Sequence, residues 1–255
     1  MLAAFGQKLK HHTPLDAADF RHLIKHLGHP RAYSPRVELD FRHDGSDRGR
    51  AFLIDEGWAI TYKLLPDGSR QVIDIGIAGD IIGMRALMLR HNDLLSTTIT
   101  STILYEIERC VLENLYRDAP KVAAAILWGT SLEESLVVER LVDIGRRSAI
   151  ERLAHFMLEL RHRLQLAGLC RRSTQFHCPL SQTVLADALG LTPIHLNRTV
   201  RQLRVMGVLR IHDGLVDILD ERQLIDVAGY EPLYLDTDEL SVSLPLSKPE
   251  EQPSP

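Results

Sequence analysis

The sequence predicts an α+β chain: an N-terminal β-barrel or jelly roll, a long helix, and a C-terminal winged helix-turn-helix. Three observations predict it. Residues 37–107 hold short β-rich runs divided by Gly, Pro and Asp turn signals. From residue 120 to about 143 runs a long stretch with helical apolar periodicity. Residues 180–219 read as two short helices and then two short apolar runs around Asp213-Gly214, the signature of a hairpin.

At 255 residues the chain has room for two domains, and its 45% hydrophobic and 25% charged residues are those of a soluble globular protein. No apolar run approaches the roughly 20 residues that span a bilayer, so no membrane partner is expected. The opening MLAAFGQKLKHH lacks the apolar core of a signal peptide, and the cytoplasm is the expected compartment. Cys110, Cys170 and Cys178 form neither a metal-like cluster nor an even disulfide set, so no metal and no cofactor are expected. The net charge of −4 hides an asymmetry. Residues 140–212 hold twelve Arg against four Asp or Glu, a balance of +8, and residues 213–255 hold two basic against eleven acidic residues, a balance of −9. A positive block around a helix-turn-helix suits phosphate contacts.

Taken in order, Thr13-Pro14-Leu15-Asp16 opens a helix over 13–27, with Phe20, Leu23, Ile24 and Leu27 as its apolar stripe. His22, His26 and His29 fall near the opposite side; their spacing could face a metal, but no cysteine or acidic ligand cluster lies nearby and a solvated face is the preferred reading. Val37–Phe41, Ala51–Ile54, Trp58–Leu64, Gln71–Ile77, Ile81–Ile82, Thr97–Ile103 and Leu104–Ile107 read as strands, with turns at Asp44-Gly45, Pro66-Asp67-Gly68 and Ala78-Gly79-Asp80. Such a barrel encloses a small ligand or is fully packed. A short helix over Val111–Arg117 precedes a break at Asp118-Ala119-Pro120 and the long helix. Ala125, Gly129, Leu132 and Leu136 recur there at spacings of 4, 3 and 4, as on a dimer seam; the pattern also suits a helix buried within one chain.

Ser148-Ala149-Ile150-Glu151 is a capping box that starts a fresh helix to about Gln165, which puts a hinge at Ile144–Arg147. Arg171–Gln175 reads as a polar connection. Ser181 then caps a helix whose Val184, Leu185, Ala188 and Leu189 are apolar, and Gly190 ends it. Thr192 caps the next, with Pro193 at its first position. Leu196, Val200 and Leu203 line one face of that helix, and His195, Asn197, Arg198, Arg201, Gln202 and Arg204 line the other. Such a face suits base edges in a major groove, and a surface hairpin with a solvated basic face fits the same pattern. Val208–Ile211 and Leu215–Leu219 form the wing, and Asp220–Ala228 a last helix. The expected domains are 1–118 (sensor barrel), 119–147 (dimerisation helix and hinge), 148–230 (winged helix) and 231–255 (an acidic, Ser/Pro-containing disordered tail).

This order resembles the Crp/Fnr family of bacterial transcription regulators over about residues 13–230. The residues that carry the resemblance are Glu56-Gly57-Trp58, Pro66 to Gln71, Gly79-Asp80-Ile81-Ile82-Gly83, Gly145 to Ala149 with Glu151 to Ala154, and Leu180-Ser181-Gln182 with Gly190-Leu191-Thr192 and Asn197-Arg198. The resemblance implies a homodimer on a pseudo-palindromic double-stranded DNA site, RNA polymerase as a protein partner, and a small-molecule effector pocket around Gly79, Asp80, Gly83, Met84 and Arg85. In cyclic-AMP-responsive members a glutamate follows the Ile-Gly pair and an arginine faces the cyclic phosphate. Here Met84-Arg85 follow, and Asp93 to Thr98 lack an arginine, so cyclic AMP is not the expected effector. The oxygen-sensing branch carries an N-terminal cysteine cluster, and no cysteine precedes Cys110.

Within the reading helix, Arg198 matches the family arginine that reads guanine. Ile194 stands where glutamate is common and would touch a thymine methyl instead. Thr192, His195 and Asn197 are the next candidates, and Arg201, Arg204 and Gln182 suit phosphates. The competing function is a ligand-binding signalling module whose winged helix contacts a protein. No phosphate loop, metal signature or nucleophile–base set marks an enzyme.

Overall fold

Alternating side chains build the first half of the chain into two sheets. The computed structural model describes residues 2–9, 15–42, 49–89, 92–170 and 174–235. Its first strands are β1 (Arg31–Tyr33), β2 (Glu38–Leu39), β3 (Arg50–Glu56), β4 (Trp58–Leu64), β5 (Arg70–Ile77), β6 (Ile81–Ile82), β7 (Leu95–Thr98) and β8 (Thr102–Glu108). They pair antiparallel as β1-β8-β3-β6 and β2-β7-β4-β5. Phe52, Ile54 and Leu104 point into the roll with Ile60 and Ile75, while Leu53, Tyr105 and Ile107 on the same strands point outward into a second cluster. That outer cluster is closed by α1 (Ala3–Leu9), α2 (Ala17–Leu27), α4 (Arg109–Asp118) and the first half of α5 (Pro120–Arg146). Burial on both faces explains why β3 reads as a continuous apolar run.

Asp16 caps α2, accepting from the N–H groups of Ala18 and Asp19 at 2.7 and 3.0 Å. The helix therefore begins at Ala17 rather than near residue 13; Thr13, Pro14 and the Asp44-Gly45 turn lie outside the described residues. The run expected as one strand from Thr97 to Ile103 is broken at Ile99–Ser101, where the N–H of Ile99 donates to Trp58 O at 2.7 Å. A short helix, α3 (Met84–Met88), follows Gly83. Gly83 has φ of +85°, and a Cβ there would lie 2.2 Å from the Phe41 ring, so both backbone and space demand glycine.

The Ser148 capping box forms as the sequence predicts and starts α6 (Ala149–Leu166). Beyond it come β9 (Gln175–His177), α7 (Gln182–Leu189), α8 (Pro193–Val205), β10 (Leu209–His212), β11 (Leu215–Ile218) and α9 (Glu221–Ala228). β9 begins at the last residue of the stretch that reads as a polar connection, where the sequence predicts no strand; only Phe176 is apolar in it, and pairing with β11 makes it a strand. A 3-10 turn at Pro232–Tyr234 closes the described chain, so the tail expected from residue 231 is part of the fold as far as Leu235. Residues 236–255 lie outside the described residues. Among the described residues no helix is long and apolar enough to cross a membrane.

Candidate nucleic-acid interface

Local capping sets the angle between α7 and α8. The Ser181 hydroxyl accepts from Val184 N at 3.2 Å, and Gly190 ends α7 in the left-handed conformation at φ of +62°. Thr192 Oγ1 then accepts from His195 N at 3.2 Å and starts α8 with Pro193 in its first turn. Leu196, Thr199 and Leu203 are buried beneath α8. Thr199 tolerates burial because its hydroxyl donates to His195 O at 3.0 Å.

On the opposite face Thr192, Ile194, His195, Asn197, Arg198, Arg201 and Arg204 are all exposed, as is Gln182 at the start of α7. Ile194 is 76% exposed, a large apolar side chain standing in water at the N-terminal end of the helix. Among the described residues no ion pair holds Arg198, Arg201 or Arg204. The helix thus offers three free guanidiniums and an amide on one side, the donor set that base edges and phosphates accept. Beside it the wing is stiffened by Asp217 of β11. Its carboxylate accepts from Gln175 at 2.6 Å, from His212 at 2.9 Å and from Arg210 at 2.9 Å. Those bonds, Gln175's first, hold it down at about 2, so it is charged throughout the physiological range.

The positive block is less of a surface feature than its balance of +8 suggests. Arg152, Arg161 and Arg163 are buried. Arg161 pairs with Glu221, and Arg163 donates to Asp80 at 3.0 Å and to Ile75 O at 2.8 Å. Arg140 and Arg147 pair with Glu159 and Asp143 at 2.6 and 2.8 Å. What faces outward from the reading helix is the three arginines of α8.

The five expected effector-pocket residues separate into two places. Gly83, Met84 and Arg85 line a cavity of about 390 Å³ between the sheet and α5, with Ile73, Asp74 and Val137 among its other walls. Gly79 and Asp80 lie instead against α1 and α5. Asp80 is committed to structure: it pairs with Lys8 and Arg163 and accepts from Ile77 N at 2.8 Å. Burial works against its ionisation, and the charges of Lys8 and Arg163 outweigh it, so its carboxyl is held below the ordinary range. Asp74, facing the cavity, is pushed up by burial despite Arg163.

Two residues of the expected dimer seam are taken up inside the chain. Ala125 and Leu136 are buried within the chain, at 1% and 5% exposure, and with Gly129 and Leu132 they face Phe5, Lys8 and Leu9 of α1 and the Gly79–Ile81 turn. Ala125 is closed off in the cluster that includes α1, an element the sequence did not reveal, while Gly129 faces open space. The bare apolar stripe of α5 lies on another face: Leu127, Val137, Val138, Leu141 and Ile144, with Glu134 in its middle.

Comparison with known proteins agrees with this geometry. Residues 151–227, from α6 through most of α9, match the Crp-like helix-turn-helix domain. The chain is 33% identical over 218 residues to the nitrogen fixation regulation protein FixK of Bradyrhizobium diazoefficiens, covering 85% of this chain and 89% of that one. It is 30% identical to the transcriptional activatory protein AadR of Rhodopseudomonas palustris, covering 85% and 86%. The chain belongs to the Crp/Fnr family. It is a DNA-binding transcription regulator. The solved structure of FixK2 from Bradyrhizobium japonicum shares its fold, with a TM-score of 0.68 at 24% identity over 80% of this chain and 98% of that chain.

In this Crp/Fnr regulator, sequence reasoning missed the contacts that join barrel to reading head. Arg70 of β5 donates to Asp187 of α7 at 2.6 Å, and the Gln71 amide donates to Asp187 O at 2.8 Å. Arg163 of α6 reaches the barrel as described. One signal was available: Arg163 follows Phe156 and Leu160 at helical spacing on the apolar side of α6, where a charge requires a carboxylate partner.

Proposed function

We propose that this regulator works as a parallel homodimer that sets one α8 into each of two successive major grooves of a pseudo-palindromic site. The observation that carries the reading is the exposed apolar stripe of α5, with Leu127, Val137, Leu141 and Ile144 uncovered. A stripe of that kind marks an interaction surface, and its recurrence at helical spacing suits a pair of side-by-side helices. In this reading residues 1–118 are the sensor, 119–147 the dimer helix and hinge, and 148–230 the DNA-binding unit. Arg198 reads a guanine, Ile194 touches a thymine methyl, His195 and Asn197 meet neighbouring bases, and Thr192, Gln182, Arg201 and Arg204 hold the backbone. RNA polymerase is the protein partner, and a role on the chromosome requires the cytoplasm.

The cavity beside Met84 serves as the effector site in this reading. Met84 offers ribose hydroxyls no carboxylate acceptor, and residues 93–98 supply no arginine for a cyclic phosphate, so in this reading cyclic AMP is not the effector. The test of the assembly is a gel-shift titration on a site selected with the protein itself, beside the same site with one half scrambled. One dimer per intact site and a large loss of affinity on the half-site support the reading. Equal binding to both, with one chain per site by sedimentation, would overturn it.

A further inference from the structure

The segment that follows the family match packs over the hinge of the molecule. α5 ends at Arg146, Arg147 is extended, and Ser148 already caps α6. Rotation about these two residues would swing α6 and everything beyond it. The hinge is crossed by a buried polar cluster. Arg140 of α5 donates to Glu159 Oε1 of α6 at 2.6 Å, and Arg147 donates to Asp143 and Glu139 at 2.8 and 3.0 Å. The His155 ring of α6 lies between them, 3.6 Å from both Asp143 and Glu139. Arg152 Nη2 adds bonds to Ile144 O and Arg147 O at 3.2 and 3.1 Å.

The chain then returns to close this cluster from outside. Tyr230 sets its ring edge-on to His155 at 5.2 Å, and Tyr234 stacks on the same imidazole at 6.3 Å with the planes 21° apart. The Tyr234 hydroxyl donates to Glu159 Oε2 at 3.2 Å. Glu159 therefore spends one oxygen on α5 and the other on the C-terminal segment. Leu235, the next residue, is buried, and His155 and Glu159 are almost wholly sealed from solvent. Burial, and then the charge of Glu159, push the Tyr234 hydroxyl up, so it stays a proton donor. The family match ends at residue 227, before this segment begins.

We propose that Tyr230 and Tyr234 are positioning residues for DNA recognition: the strap they anchor fixes the α5–α6 hinge and with it the angle at which each α8 is presented. The proposal rests on the two-headed reading given above. Removing both rings opens Glu159 and His155 to water and loosens the hinge, leaving pairs such as Arg140–Glu159 and Arg163–Asp80 to hold it against rotation. The reading heads of a dimer then lose their fixed separation.

The test is the spacing preference of the full-length protein. Inserting or deleting one base pair between half-sites turns one of them by about 35° and shifts it by about 3.4 Å. The native protein is expected to prefer its selected spacing by about tenfold or more, and the Tyr230→Ala/Tyr234→Ala protein by about threefold or less. Tyr234→Phe keeps the stacked ring and should keep most of the preference. Should the double variant fail to fold, Tyr234→Leu carries the same test. An unchanged spacing ratio in a folded variant, or an equal loss of affinity at every spacing, overturns the proposal. A native protein indifferent to spacing overturns the two-headed reading and the proposal together.

Discussion

Arg70 of the barrel and Asp187 of the helix-turn-helix meet at 2.6 Å, although 117 residues separate them in the chain. The pair is about three-quarters shielded from solvent and is backed by the Gln71 bond to Asp187 O. It fastens the barrel sheet to the very helix that supports α8. The strand involved, β5, also supplies Ile73 and Asp74 to the cavity and the Ile75 carbonyl to Arg163. One strand thus touches the cavity beside Met84, the helix α6 and the helix-turn-helix.

A double-mutant cycle on Arg70→Ala and Asp187→Ala is expected to give a coupling of roughly 0.5–1 kcal/mol, shrinking in high salt. Denaturant unfolding of the four proteins measures it. Zero coupling would mean that this ion pair contributes nothing to holding α7 on β5, leaving the Gln71 bond to do so.

The two faces of α5 should respond differently to charge. Leu141→Glu adds a charge to the bare stripe and should give folded monomers, while Glu134→Leu should tighten the dimer by removing a buried like-charge pair. Leu136→Ala, by contrast, empties a buried site against α1 and should cost about 2–5 kcal/mol of stability. Sedimentation and thermal unfolding separate the outcomes. A Leu141→Glu protein that remains dimeric would remove this stripe from the interface.

Glu133 of α5, which borders both the pocket at Asp80 and the cavity at Asp74, makes the stability depend on pH in an unusual direction. Burial first, and then the charges of Asp74 and Asp80, hold its carboxyl well above its ordinary 4.5. Between 4.5 and its raised native value the folded state holds a proton that the unfolded state has lost, so stability falls as pH rises through that window. Asp80 acts oppositely: its depressed carboxyl contributes in full above about 4 and that contribution is lost as pH falls further. Glu133→Gln should therefore match the native protein near pH 4.5 and melt higher at neutral pH. Equal melting temperatures across the range would contradict the placement of this carboxyl.

The parts of the fold legible in the sequence are those written by local chemistry. Ser148, Ser181 and Thr192 cap helices, Gly190 ends one, and Asp213-Gly214 turns the wing, each through bonds within a few residues. The strands of the roll follow from alternation and turn residues. What stayed hidden depends on distant partners. α1 is short, and its role appears only when Phe5 and Leu9 meet α5. Periodicity shows that α5 has apolar faces but not that α1 covers the one carrying Ala125 and Leu136. Gly79 and Asp80 follow the family pattern, yet Lys8 and Arg163, from two other elements, claim the carboxylate. Tyr230 and Tyr234 carry no local signal at all; their meaning lies in His155 and Glu159, some 75 residues earlier.

The central claim is that α8 reads base sequence through its free N-terminal face, with Arg198 on a guanine. Binding-site selection with the native protein and Arg198→Ala at one salt concentration tests it most directly. The variant should lose about 1–3 kcal/mol and accept any base at one guanine position in each half-site. Arg204→Ala, run beside it, should weaken all sequences nearly alike and flatten the salt dependence by about one unit. An Arg198→Ala protein that keeps the native preference at every position would contradict the account.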